Sequence, residues 1–137
     1  MSEIEEYLKD EYKKSTSFTL TLMYKQCLRK LSEKIYGDSN GSIAPTLRRV
    51  LVEEGLNIMK NRQMDFRLWE ETEKVENTDV VMLKINEKIE RLLQEVVMIH
   101  FMSRSHFARY AILKTFYKYF PEENVGKAKV VSIGRLF

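Results

Sequence analysis

Phe18-Thr19-Leu20-Thr21-Leu22 alternates apolar residues with β-favouring polar ones without a break. A period of two puts every second side chain on one face, so the stretch predicts a half-buried strand with Phe18, Leu20 and Leu22 pointing inward. Immediately downstream the period changes. Tyr24, Cys27, Leu28, Leu31 and Ile35 are spaced by three and four, which makes one stripe of a helix. Gly37-Asp38-Ser39-Asn40-Gly41 reads as a turn. Ser42 then caps a second helix with Leu47, Val50, Leu51 and Ile58 on its apolar side. Pro45 falls in the first turn of that helix, where a missing N–H costs little.

The same order returns further along the chain. Val81-Met82-Leu83-Lys84-Ile85 predicts a second short strand, with Val81, Leu83 and Ile85 inward. Asn86 is placed to cap a helix carrying Ile89, Leu92, Leu93, Val96 and Val97. Ser103 is placed to cap another, carrying Ala108, Ala111, Ile112, Phe116 and Tyr119, and Pro121 marks its end. The distance from strand end to second-helix cap is nearly equal in the two halves, Leu22 to Ser42 and Ile85 to Ser103. The chain therefore reads as a divergent tandem repeat of strand, helix, helix.

One such unit cannot stand alone. A single short strand leaves both edges unpaired, and two modest helices need something to pack against. Two units solve both problems if their strands pair as an antiparallel ribbon over four helices. The expected fold is mainly α with a short two-stranded antiparallel β-ribbon, two units making a pseudo-dimer within one chain. The expected boundaries are an arm over 1–14, a first unit over 15–60, a linker over 61–79 that is rich in helix formers, a second unit over 80–120 and a tail over 121–137. The tail contains the strand-like Lys129-Val130-Val131-Ser132-Ile133.

Composition agrees with a packed protein. Of 137 residues, 44% are hydrophobic and 11% aromatic, enough for a core. The net charge of +3 is too small to argue for a polyanionic partner by itself. Its distribution is more informative, because basic blocks over 15–60 and 80–120 alternate with acidic stretches over 1–14 and 61–79. The single cysteine excludes an intrachain disulfide, and Cys27 lies on an apolar stripe, a core position. His100 reads as packed at a helix end and His106 as a surface residue; their spacing is not that of a helical metal pair. Trp69, with Phe66 and Leu68, reads as a cover over the core from the linker. No run is long and apolar enough to span a membrane, and the charged N-terminus does not read as a secretory signal, so a cytoplasmic protein is expected. No metal set, phosphate loop, nucleophile with its base, or carboxylate pair stands out, so neither a cofactor nor an enzymatic activity is expected.

At this point the pattern resembles the ribbon-helix-helix DNA-binding family of the Arc/MetJ type. The second unit is the closer match, in Val81-Met82-Leu83-Lys84-Ile85 and in Met102-Ser103-Arg104-Ser105 continuing to Phe107, Arg109, Ala111 and Ile112. The first matches in Phe18-Thr19-Leu20-Thr21-Leu22 and from Ser42 to Leu51. The resemblance implies double-stranded DNA as partner and a ribbon lying in the major groove. The base-reading side chains would be Ser17, Thr19, Thr21, Val80, Met82 and Lys84. Phosphates would be held at the starts of the second helices, by Ser42, Ile43 and Ala44 and by Ser103, Arg104 and Ser105. Two units in one chain resemble the tandem transcription regulators of archaeal viruses, which implies a repressor acting in the host cytoplasm. A monomeric pseudo-dimer and a homodimer both remain open. The alternative on the same fold is an antitoxin-like interaction module, using the acidic linker or the tail to hold a protein.

Overall fold

The structure, a computed structural model, describes residues 2–37 and 43–123. In chain order the elements are α1 (Glu3–Leu8), β1 (Lys14–Leu20), α2 (Leu22–Tyr36), α3 (Ala44–Asn61), α4 (Phe66–Glu73), β2 (Asp79–Ile85), α5 (Glu87–His100) and α6 (Arg104–Tyr119). The chain is thus mainly helical, with one two-stranded antiparallel sheet.

β1 and β2 pair along their full length, from Lys14 opposite Ile85 to Leu20 opposite Asp79. Ser17 faces Met82, and each is the middle residue of its strand. The pairing is therefore symmetric about that point. Period two sorts the side chains. Phe18, Leu20, Leu83 and Ile85 are buried beneath the ribbon, with Val81 half-buried beside them. Burying each large apolar side chain contributes on the order of 1.5–3 kcal/mol, which sets the register, since a one-residue slip would turn all of them to water.

The helices supply the other wall. α2 contributes Tyr24, Cys27, Leu28 and Leu31, α3 Leu47, Val50, Leu51 and Ile58, and α5 Ile89, Leu92, Leu93 and Val96. α6 is buried almost all round, because it packs against α2, α3, α4 and β1 at once. α3 and α5 approach closely at Gly55, where an added Cβ would lie 3.0 Å from Leu92 Cδ2. That contact explains a glycine inside a helix, where alanine would otherwise be better by about 1 kcal/mol.

Element ends follow their capping chemistry. The Asn86 side chain accepts from the Ile89 N–H (2.9 Å) and donates to the Tyr7 carbonyl (2.6 Å), which ties the N-terminal arm to the start of α5. Gly37 ends α2 in the left-handed region (φ 72°), and its N–H bonds the Glu33 carbonyl. Pro45 sits in the first turn of α3. Ser42, the expected cap of that helix, and the strand-like segment of the tail lie outside the described residues.

Three expectations need correction. Leu22 is 60% exposed, because β1 stops at Leu20 and Leu22 is the first residue of α2. Thr21 is the N-cap of α2, off the ribbon altogether. His106 is buried rather than at the surface: its Nε2 lies 2.8 Å from the Trp69 carbonyl, and its ring stands edge-on to the indole.

Candidate nucleic-acid interface

The outward side chains of the ribbon form three cross-strand pairs, Ser15 with Lys84, Ser17 with Met82 and Thr19 with Val80. Ser15, Ser17, Val80, Met82 and Lys84 are exposed, while Thr19 is half-buried. Five of these six positions were marked in the sequence, with Thr21 in the place that belongs to Ser15. Lys84 makes no ion pair among the described residues. Its neighbour across the ribbon is a small hydroxyl, so its ammonium can reach outward.

Two arginines hold the ribbon from its edges. A two-stranded sheet has only edge strands, and their outward backbone groups need partners. Arg109 Nη1 donates to the Thr19 carbonyl (2.9 Å) and hydroxyl (3.2 Å). The Thr19 N–H donates to Ser105 Oγ (2.9 Å). On the opposite edge, Arg48 Nε donates to the Lys84 carbonyl (2.8 Å), and its guanidinium lies 4.0 Å from the centroid of the Tyr12 ring. Thr19 and Lys84 each stand one residue before the end of their strand. Each is gripped from a second helix, α6 for β1 and α3 for β2. Neither arginine was singled out for this role by sequence reasoning, and no local pattern marks it.

The expected phosphate clamps are arranged differently. Arg104 forms a two-pronged ion pair with Glu90, both bonds 2.7 Å, and a third bond to Thr16 Oγ1 (3.2 Å). Its fork is filled from within the chain, so it fastens the start of α6 to α5 and β1 instead of waiting for a phosphate. Ser103 Oγ accepts from the His106 N–H (3.0 Å) as the α6 cap. Ser105 is committed to Thr19. Ile43 is the N-cap of α3 and makes no side-chain cap bond, and Ala44 begins the helix.

Lysines surround the ribbon ends, Lys13 and Lys14 exposed and Lys25 half-buried. Lys13 lies 3.6 Å from Glu11, Lys14 3.5 Å from Glu87, and Lys25 3.0 Å from Asp79. The exposed pairs of Lys13 and Lys14 are worth well under about 1 kcal/mol and are readily exchanged for another anion. The Glu90–Arg104 pair is more sheltered, with side chains 13% and 27% exposed. Hydrogen bonding from Arg104 holds the Glu90 carboxyl below the usual carboxylate range, against the opposing effect of burial. A depressed carboxyl pKa stabilises the fold above the ordinary carboxylate value, and that contribution disappears as the pH falls through the lower folded value. Glu90→Gln should therefore cost about 1–3 kcal/mol at neutral pH, and its urea midpoint should converge on that of the wild type in acid. Parallel curves at every pH would exclude this pair as a source of pH dependence.

No group of three His, Cys, Asp or Glu residues among those described could hold a metal ion. No described helix is long and apolar enough to cross a membrane. No protein-family profile, curated protein or solved structure matches the chain.

Proposed function

We propose that the chain is a sequence-specific regulator of transcription, a repressor, that binds double-stranded DNA as a tandem ribbon-helix-helix pseudo-dimer. The observation that carries this reading is the centred pairing of β1 and β2. Two strands, each leading directly into a pair of helices, meet with Ser17 opposite Met82 and turn one side-chain face to the outside. The major groove, about 12 Å wide, admits a two-stranded ribbon, and the outward side chains of such a ribbon meet base edges. Lys84 is suited to the acceptors of guanine, Ser15 and Ser17 to donors or acceptors, and Val80 and Met82 to a thymine methyl group. The two strands differ in sequence, so the target need not be a palindrome. Lys13 and Lys14 exchange their carboxylates for phosphates, which positions the ribbon without selecting sequence.

The test is selection of duplex DNA from a random pool, then footprinting. A defined site is expected. Affinity for it should fall with salt on a logarithmic slope of about −4 to −5, corresponding to roughly 4–6 neutralised phosphates. Lys84→Ala should weaken specific binding by about 1–3 kcal/mol and relax selectivity at one base position. Co-purification of a small basic protein, with no duplex enriched from the pool, would reverse the reading in favour of an interaction module.

A further inference from the structure

A cavity of about 350 Å³ opens where the end of α3, the start of α4 and the α5–α6 turn converge, and Arg62, Phe66, Trp69, Ile99, His100 and Phe101 line it. Its size falls within the range of small-molecule sites, and its composition has the usual form, mostly apolar with few polar groups. Phe66 and Phe101 leave most of their rings in solvent, Phe101 being 87% exposed. The Trp69 ring is fixed from behind by its edge-on contact with His106, at 4.7 Å between centroids. Flat aromatic walls favour a flat guest.

The polar groups state a charge preference. His100 Nε2 is shielded from solvent and has no hydrogen-bond partner among the described residues. Burial and the nearby Arg62 charge lower the His100 pKa, so the ring stays neutral and adds no second cation beside Arg62. Arg62 is exposed and makes no ion pair among the described residues. Its guanidinium offers the fork that matches a carboxylate.

Backbone strain is concentrated at the same place. Among the described residues, three that are not glycine have positive φ: Arg62 (54°), Asn77 (57°) and Phe101 (49°). Two of the three line this cavity. A glycine would end α3 or α5 without the steric penalty, but it would bring neither the guanidinium nor the phenyl ring.

We propose that this cavity is a binding site for a planar aromatic carboxylate, with Arg62 holding the carboxylate and Trp69, Phe66 and Phe101 enclosing the ring. The proposal does not rest on DNA binding. Trp69 is the only tryptophan in the chain, so its emission reports on the site directly.

The experiment titrates the full chain with 2-naphthoate and with its uncharged analogue 2-naphthamide, by calorimetry and by Trp69 emission. Saturable one-to-one binding of 2-naphthoate is expected, with 2-naphthamide at least about tenfold weaker. Arg62→Gln should abolish that preference. Phe101→Gly should keep or raise the melting temperature, because it relieves the left-handed residue, yet weaken 2-naphthoate binding about fivefold or more. Equal affinity for the two probes, an unchanged preference in Arg62→Gln, or no saturation by about 1 mM would overturn the proposal.

Discussion

Replacing Arg109 by leucine should destabilise the protein by about 3–5 kcal/mol, one of the largest losses available from a single polar side chain here. Arg109 is buried, and all three of its guanidinium nitrogens donate hydrogen bonds. Nε donates to the Thr72 carbonyl, Nη2 to the Glu73 carbonyl and Nη1 to Thr19, each carbonyl at 2.9 Å. Thr72 and Glu73 are the last residues of α4, so the cation also sits at the negative end of that helix dipole. Leucine would leave three carbonyls without this donor, the bond at Thr72 buried and those at Thr19 and Glu73 half-buried. Each such loss costs about 1–3 kcal/mol, partly offset because a buried charge no longer needs solvation. At this chain length the melting temperature should fall by roughly 10–20 °C. Lysine should not rescue, since a single ammonium cannot span three carbonyls on two elements. Arg48→Leu provides the comparison. Its bond to the Lys84 carbonyl is exposed, and its loss should cost only about 1 kcal/mol. A loss below about 1 kcal/mol for Arg109→Leu would mean that α4 and β1 are held by other contacts.

The contrast between Arg104 and Arg109 shows where sequence reading ends. Both lie in the first two turns of α6, and locally both look like cations near a helix N-terminus, free to meet a phosphate. Their actual partners are Glu90 and Thr16 for one, and Thr19, Thr72 and Glu73 for the other. Those residues lie far away along the chain, and no spacing rule connects them. His106 belongs with them, since its partner is the Trp69 carbonyl. The start of β1 was hidden for a related reason. Lys14-Ser15-Thr16 has no apolar alternation and becomes strand because Ile85, Lys84 and Leu83 pair with it. The legible parts were those with a local physical cause. Period two marked Phe18, Leu20, Leu83 and Ile85 as the inner face. Spacing by three and four marked the buried stripes of α2, α3 and α5.

Leu20 and Leu22 supply the sharpest test of where the strand ends, because the sequence makes them equivalent and the structure does not. Alternation runs on through Thr21 and Leu22, yet Thr21 has φ −86° and ψ 170°. Those angles are extended, as an N-cap requires, so an N-cap at the end of a strand is indistinguishable by alternation from one more strand residue. Beyond it the backbone turns helical, and Leu22 becomes the first residue of α2, largely in solvent. Leu20→Ala should cost about 2–5 kcal/mol, since it removes a fully buried side chain from the layer between ribbon and helices and leaves a cavity. Leu22→Ala should lie within about 0.5 kcal/mol of the wild type, because little apolar surface is lost and alanine suits a helix start as well as leucine does. If the ribbon instead continued through Leu22, the second substitution would cost as much as the first. Urea unfolding of the two variants side by side decides between these outcomes, and it also decides whether Thr21 can belong to the outward face. A costly Leu22→Ala would restore Thr21 to the ribbon, whereas a neutral one leaves Ser15, Ser17, Thr19, Val80, Met82 and Lys84 as the surface that any partner of the ribbon must meet.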